Sequence, residues 1–164
     1  MRVAGLLAVL ATLLPHMACS AELKVTAATL RLPAEWRVLS RTTNRAVAES
    51  SSRDQRVTLS SHQVEARASI QVLQRLVHHR IEAEKSAAPD VFVEPDEPFR
   101  DGSQYVTFFS GGERSTGRLF SCYMVLTEST LTTVYLESIA LDAKQHLSDF
   151  ESLVNGVRTV SGSK

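Results

Sequence analysis

The first stretch with a clear pattern alternates. In "VTAATLRLPAEW", Val25, Ala27 and Leu30 or Leu32 are apolar, with Thr and Arg between them. That is the period-two pattern of a half-buried strand. Pro33 ends it, because proline donates no ladder hydrogen bond. "WRVLSR" from Trp36 and "RAVAES" from Arg45 predict two more short strands, with "SSRD" at 51–54 as a turn. "QRVTLSSHQVEA" alternates again, with Val57 and Leu59 on one face. The period then changes. Ile70, Leu73, Val77 and Ile81 step by three and four, with Leu76 adjoining, and predict one apolar stripe on a helix. Ser69 is its N-cap and Pro89 its stop.

Past that helix, Val91–Val93 reads as a short strand, followed by a loop carrying Pro95 and Pro98. A three-strand meander comes next, over 105–109, 119–126 and 131–139, rich in β-branched and aromatic residues. Its loops hold Gly111, Gly112 and Gly117, then residues 128–130. Ala143, Leu147, Phe150, Val154 and Val157 mark a second amphipathic helix, capped by Asp142 and ending near Gly156. Strands, helix, strands, helix is the order of an α+β domain. A mostly antiparallel sheet would carry its two main helices on one or both faces.

The N-terminus changes the picture of where this domain works. Arg2 is followed by a nearly all-apolar run from Val3 to Leu14, then Pro15 and small residues, the pattern of a secretory leader. The run is too short to span a bilayer, which takes roughly 20 apolar residues. Cutting after Ala21 places the small residues Cys19 and Ala21 at the recognised positions, and cutting after Ser20 places Ala18 and Ser20 there. Lipidation of Cys19 is the alternative, although His16 and Met17 stand where a lipoprotein signal favours an aliphatic residue. The expected organisation is a leader over 1–21, one domain over 22–160 and a disordered tail over 161–164. The expected location is the periplasm, with membrane attachment only through a lipid on Cys19.

Without the leader, Cys122 is the sole structural cysteine, so no internal disulfide is available and burial must hold the fold. Basic and acidic side chains number 18 each, and loss of Arg2 leaves 17 against 18. Nonspecific nucleic-acid binding needs a basic excess that this chain lacks.

In "TLRLPAEWRVLS" a strand ends in Leu-Pro-x-x-Trp. This resembles the opening of the PsbP/Mog-like superfamily, which includes the exported DcrB-type proteins. The element order from Val25 to Val160 is similar as well. Glu35 stands where many families of the group carry Gly. The resemblance implies a compact α/β/α sandwich that binds another protein rather than catalysing. It implies no common catalytic set, so no active residue is carried over.

Each candidate chemistry has a simpler reading beside it. His78 and Glu82 share one helix face, with His79 adjacent. Two such residues do not make a metal site, the HExxH spacing is absent, and nothing in the sequence brings His62 or His146 to join them. Glu94, Asp96, Glu97 and Asp101 lie in "EPDEPFRDG", which lacks the spacing of an EF-hand. Stiffened by two prolines, that segment is the candidate partner-binding loop. "GGERSTGR" lacks the Lys of a phosphate loop and the Gly of a nucleophile elbow, and reads as a hairpin. Cys122, in an apolar strand, reads as a small packed side chain. Trp36 is expected to close one end of the core over the helix that carries Leu73 and Val77. The leading expectation is therefore an exported, non-enzymatic protein-binding module of the cell envelope. It would be an adaptor or an immunity-type inhibitor of a toxin, with no cofactor and no catalytic residue. The competing expectation is a small periplasmic metal-binding protein or hydrolase that uses His78, Glu82 or the acidic loop.

Overall fold

The computed structural model describes residues 21–139 and 141–159. The leader and the tail expected at the two ends lie outside the described residues.

Among the described residues, eleven strands and two helices follow one another. A large antiparallel sheet runs in the order β3 (Arg37–Arg41), β4 (Arg45–Glu49), β5 (Gln55–Gln63), β10 (Thr130–Ile139), β9 (Arg118–Thr127), β8 (Gln104–Glu113), β6 (Val91–Pro95). The short β7 (Phe99–Asp101) also pairs with β8. A small sheet joins β1 (Glu22–Val25), β2 (Ala28–Arg31) and β11 (Val157–Thr159). The domain is α+β, mostly antiparallel sheet with two helices, as its periodicity predicts.

The two helices take opposite faces of the large sheet, because successive side chains on a strand point to opposite sides. On β9, Phe120, Cys122, Met124 and Leu126 pack in one cluster with Val72, Leu73, Val77 and Ile81 of α1 (Ile70–Ala87). Between them, Tyr123 points the other way and packs against the cluster that holds Phe150 and Leu153 of α2 (Ala143–Asn155). That second cluster also takes Leu23, Leu30 and Leu32 of the small sheet and its flank, so the small sheet and α2 share one face. The helix caps are those predicted. Ser69 accepts from the Val72 N–H at 3.2 Å, and Asp142 accepts from the Gln145 N–H at 3.0 Å.

Four local readings change. First, "ELKVTAATLR" is a hairpin of two strands, with Leu23 opposite Leu30. Second, the acidic segment is an interrupted edge strand rather than a free loop. From Pro95 to Phe99 the edge advances four residues while its β8 partners, Phe109 to Val106, advance three. The extra residue is a bulge, and Asp96 keeps the ladder by donating its N–H to Phe108 at 2.9 Å. Prolines are tolerated on such an edge.

Third, Gly111 and Gly112 lie inside β8, and the hairpin turn holds only 114–117. A Cβ on Gly111 would run into the Phe92 carbonyl and lie 2.7 Å from the Phe120 ring, so the glycine makes room for an aromatic of the core. Fourth, Trp36 is 6% exposed, but it packs with Phe150 and Leu153 of α2, not with the α1 cluster of Leu73 and Val77. The reason is the turn itself: Trp36 donates its N–H to the Pro33 carbonyl at 3.1 Å, and the motif sits at the end of the small sheet, on the α2 face.

Candidate functional site

The small sheet and α2 do not cover their face completely. α2 lies over β9 and β10, which leaves the β8–β6 margin open. A groove of about 440 Å³ runs there. Phe108 forms its floor, stacked on Tyr123 with ring centroids 4.9 Å apart. Leu147, Phe150 and Val154 of α2 form one wall, and Glu94 and Asp96 of the bulged edge form the other. Glu151 adds a third carboxylate, and among the described residues no Lys, Arg or His lines the groove.

The apolar character continues past the groove. Among the described residues, five large hydrophobic side chains are exposed: Leu39, Phe92, Phe99, Ile139 and Leu147. Leu147 lies in the groove wall. Phe92 pairs with Gly112 and Phe99 with Val106, so by register both stand on the groove face of the edge. Isolated exposed hydrophobics are ordinary, but several on one face beside an apolar groove with a polar rim fit an interaction surface. Leu147 belongs to the expected apolar stripe of α2, yet it is 49% exposed. The helix turns its buried stripe, His146–Phe150–Leu153, toward the sheet and leaves Leu147 beside it in the open.

Of the four acids singled out in the sequence, Glu94 and Asp96 line the groove. Glu97 and Asp101 are exposed farther along the same edge and do not line it. Asp101 still acts on this face. The Tyr123 phenol is raised first by burial and then by the Asp101 charge.

Beneath the groove is a polar element that the sequence did not flag. His146 is 2% exposed, with Nε2 2.9 Å from Ser121 Oγ and Nδ1 2.6 Å from Ser138 Oγ. Burial holds its imidazole below the usual value, against the Asp149 charge and the Phe120 backbone, which raise it. A Ser–His contact of this length meets one condition for a nucleophile and its base. The others fail here: Ser121 is fully buried, and the group on the far side of the ring is another serine rather than a carboxylate. Neutral imidazole has one donor and one acceptor nitrogen, and two hydroxyls satisfy both. The arrangement pins α2 to β9 and β10.

The remaining candidates are dispersed. His78, His79 and Glu82 all lie on the outer, solvent-facing side of α1. His62 is on β5 and His146 is enclosed, so the structure brings neither to them. No group of three or more His, Cys, Asp or Glu side chains is arranged to hold a metal among the described residues. Cys122 is fully buried, and burial first, then the Glu84 charge, push its thiol up, the reverse of what a nucleophile needs.

No protein-family model matches the chain, and no curated protein matches it. Among solved structures, the solution structure of cyanobacterial PsbP (CyanoP) from Synechocystis sp. PCC 6803 aligns with a TM-score of 0.64. The alignment covers 82% of this chain and 88% of that one at 12% identity. The fold is PsbP-like. A crystal structure from Bacteroides thetaiotaomicron covers 84% of this chain and 46% of its own, at 9% identity and a TM-score of 0.41, too loose a likeness to bear on the fold.

Proposed function

We propose that this protein is an exported, non-enzymatic binding module of the cell envelope that takes a protein segment into the groove between α2 and the β6–β8 edge. One observation carries the reading. Exposed Phe92, Phe99 and Leu147 gather on one face, around a groove whose only charged side chains among the described residues are carboxylates. The complementary partner segment presents apolar side chains flanked by Lys or Arg. Apolar burial supplies the affinity and the acidic rim the orientation and approach rate. The fully buried Ser121 and the raised Cys122 thiol support a role without catalysis. Within the PsbP-like fold, the Pro33–Trp36 turn supports kinship with the DcrB-type exported proteins. An adaptor and an immunity-type inhibitor of a toxin would use the same groove.

Export rests on the leader pattern in residues 1–21. Ala21 packs against the core, and its carbonyl accepts from the Leu32 N–H at 2.8 Å. A cut after Ser20, or before Cys19 with lipid addition, keeps that bond, and a cut after Ala21 loses it. Intact mass of the mature protein separates the three. The binding reading is tested by affinity capture from envelope extract with the mature protein, Leu147→Asp and Leu39→Asp. A protein captured by the wild type and by Leu39→Asp, and lost with Leu147→Asp, supports the groove. Equal capture by all three refutes it.

A further inference from the structure

The opposite face of the large sheet is also only half covered. α1 packs over β6, β8 and the neighbouring strands, while β4 and β5 continue beyond it. In the angle between helix and strands lies a cavity of about 420 Å³. Its floor is polar because of strand parity. Thr58 and Ser60 alternate with buried Val57 and Leu59, which face the other core. Pairing aligns Arg45, Ser60 and Thr133 in one row across β4, β5 and β10.

The back of the cavity is rigid. Buried Glu84 of α1 accepts from Arg80 at 2.8 Å, from Arg118 at 3.0 Å and from the Tyr135 hydroxyl at 2.9 Å. Arg80 lies over the Tyr135 ring, 4.6 Å from its centroid. Arg118 also donates to Glu137 and to the Tyr135 hydroxyl. Burial alone would lower the Arg118 guanidinium, but Tyr135, the hydrogen bond to Glu84 and the charge of Glu137 outweigh it and hold it above its usual value.

The front of the cavity is open to solvent: Arg45 is exposed, and Thr58, Ser60 and Thr133 are half-buried. Among the described residues, the Arg45 side chain makes no ion pair and no hydrogen bond, and the hydroxyls of Thr58, Ser60 and Thr133 make none. Of the three guanidiniums that line the space, Arg80 and Arg118 are paired with Glu84 and Glu137, which leaves Arg45 as the one open to a ligand; Glu137 lies four residues along β10 from Thr133. We infer that the Arg45–Ser60–Thr133 end of this cavity binds a small oxoanion, a carboxylate or a phosphate group. The guanidinium fork offers paired donors to two oxygens. The strand hydroxyls supply donors from below, and Glu137 keeps a second negative group away from the far end. The site is on the other face from the groove and stands without the binding reading given to it.

Calorimetric titration of the mature protein with succinate, and separately with inorganic phosphate, at fixed ionic strength tests this. One of them is expected to bind saturably at millimolar concentration or below. Arg45→Gln is expected to weaken it about tenfold or more, the loss typical of a charge-assisted pair. Arg37→Gln, outside the cavity, should leave it unchanged. Succinate binding alone assigns a carboxylate ligand, phosphate binding alone a phosphate, and both assign a general oxoanion site. No saturable binding of either anion, or an affinity that neither Arg45→Gln nor Thr133→Val changes, overturns the inference.

Discussion

The two faces of the large sheet are covered in different ways, and they are left open at opposite edges. On one face α2 and the small sheet share the cover, and the gap falls at the β8–β6 margin. On the other α1 alone provides the cover, and the gap falls over β4 and β5. The first gap is apolar with a carboxylate rim. The second is lined by hydroxyls and guanidiniums. An offset pair of helices thus leaves two different openings on one sheet, one rimmed by carboxylates and one holding guanidiniums, and a chain of zero formal net charge conceals both.

The largest expected effects test the cores behind the two gaps. Trp36→Ala empties the α2 face and Phe120→Ala the α1 face. Each is expected to cost roughly 3–5 kcal/mol, a large part of the roughly 5–15 kcal/mol that holds a domain of this size. Thermal melts of the purified variants check this. A melting temperature close to wild type for Trp36→Ala would mean that the indole is not a core element.

Next in size is the charge buried on the α1 face. Glu84→Gln leaves Arg118 and Arg80 facing a neutral amide, and it is expected to cost roughly 1–3 kcal/mol. Denaturant unfolding measures the loss, and a double change with Arg118→Met should recover part of it if the carboxylate serves mainly to satisfy the guanidiniums. The surface ion pair Arg37–Glu49 is the comparison, since exposed pairs contribute about 0–1 kcal/mol.

The α2 face carries its own titrating group. His146 has a lowered folded value, so the unfolded chain takes up its proton first as the solution is acidified. Its contribution to stability is complete above about pH 6.5, the unfolded value. It declines as pH falls from there toward the lowered folded value. Unfolding free energies measured at several pH values should show this slope, and His146→Gln should flatten it. An unchanged slope would mean that the imidazole titrates alike in the folded and the unfolded chain.

Much of this arrangement is legible in the chain before folding. The β-branched and aromatic content of 118–139 marks strands that bury both faces, and the three-and-four spacing of Leu73, Val77 and Ile81 marks a helix that buries one. What escaped depends on contacts that periodicity does not encode. Val157 continues the spacing of α2 but pairs with Leu30 in a strand, since Gly156 ends the helix first. The β1–β2 turn at Thr26–Ala27 has no turn residue to announce it. His146 was readable in one respect: it stands four and seven residues before Phe150 and Leu153, on their stripe. Its partners Ser121 and Ser138 are interior only through the pairing of β9 with β10 beneath α2. The acidic loop was legible as a surface. That only Glu94 and Asp96 of its four acids reach a groove follows from the bulge and from where α2 stops covering β8.

The smallest effect on stability is expected where the effect on binding is largest. Leu147→Asp replaces an exposed side chain and should change stability by no more than about 0.5 kcal/mol. The most direct measurement is hydrogen exchange of the mature protein with and without its captured partner. Protection is expected in β6 and in the second half of α2, around Leu147 to Asn155, and not on the outer side of α1. Protection confined to α1 around His78 and Glu82, or to β4 and β5, would contradict the groove as the partner site.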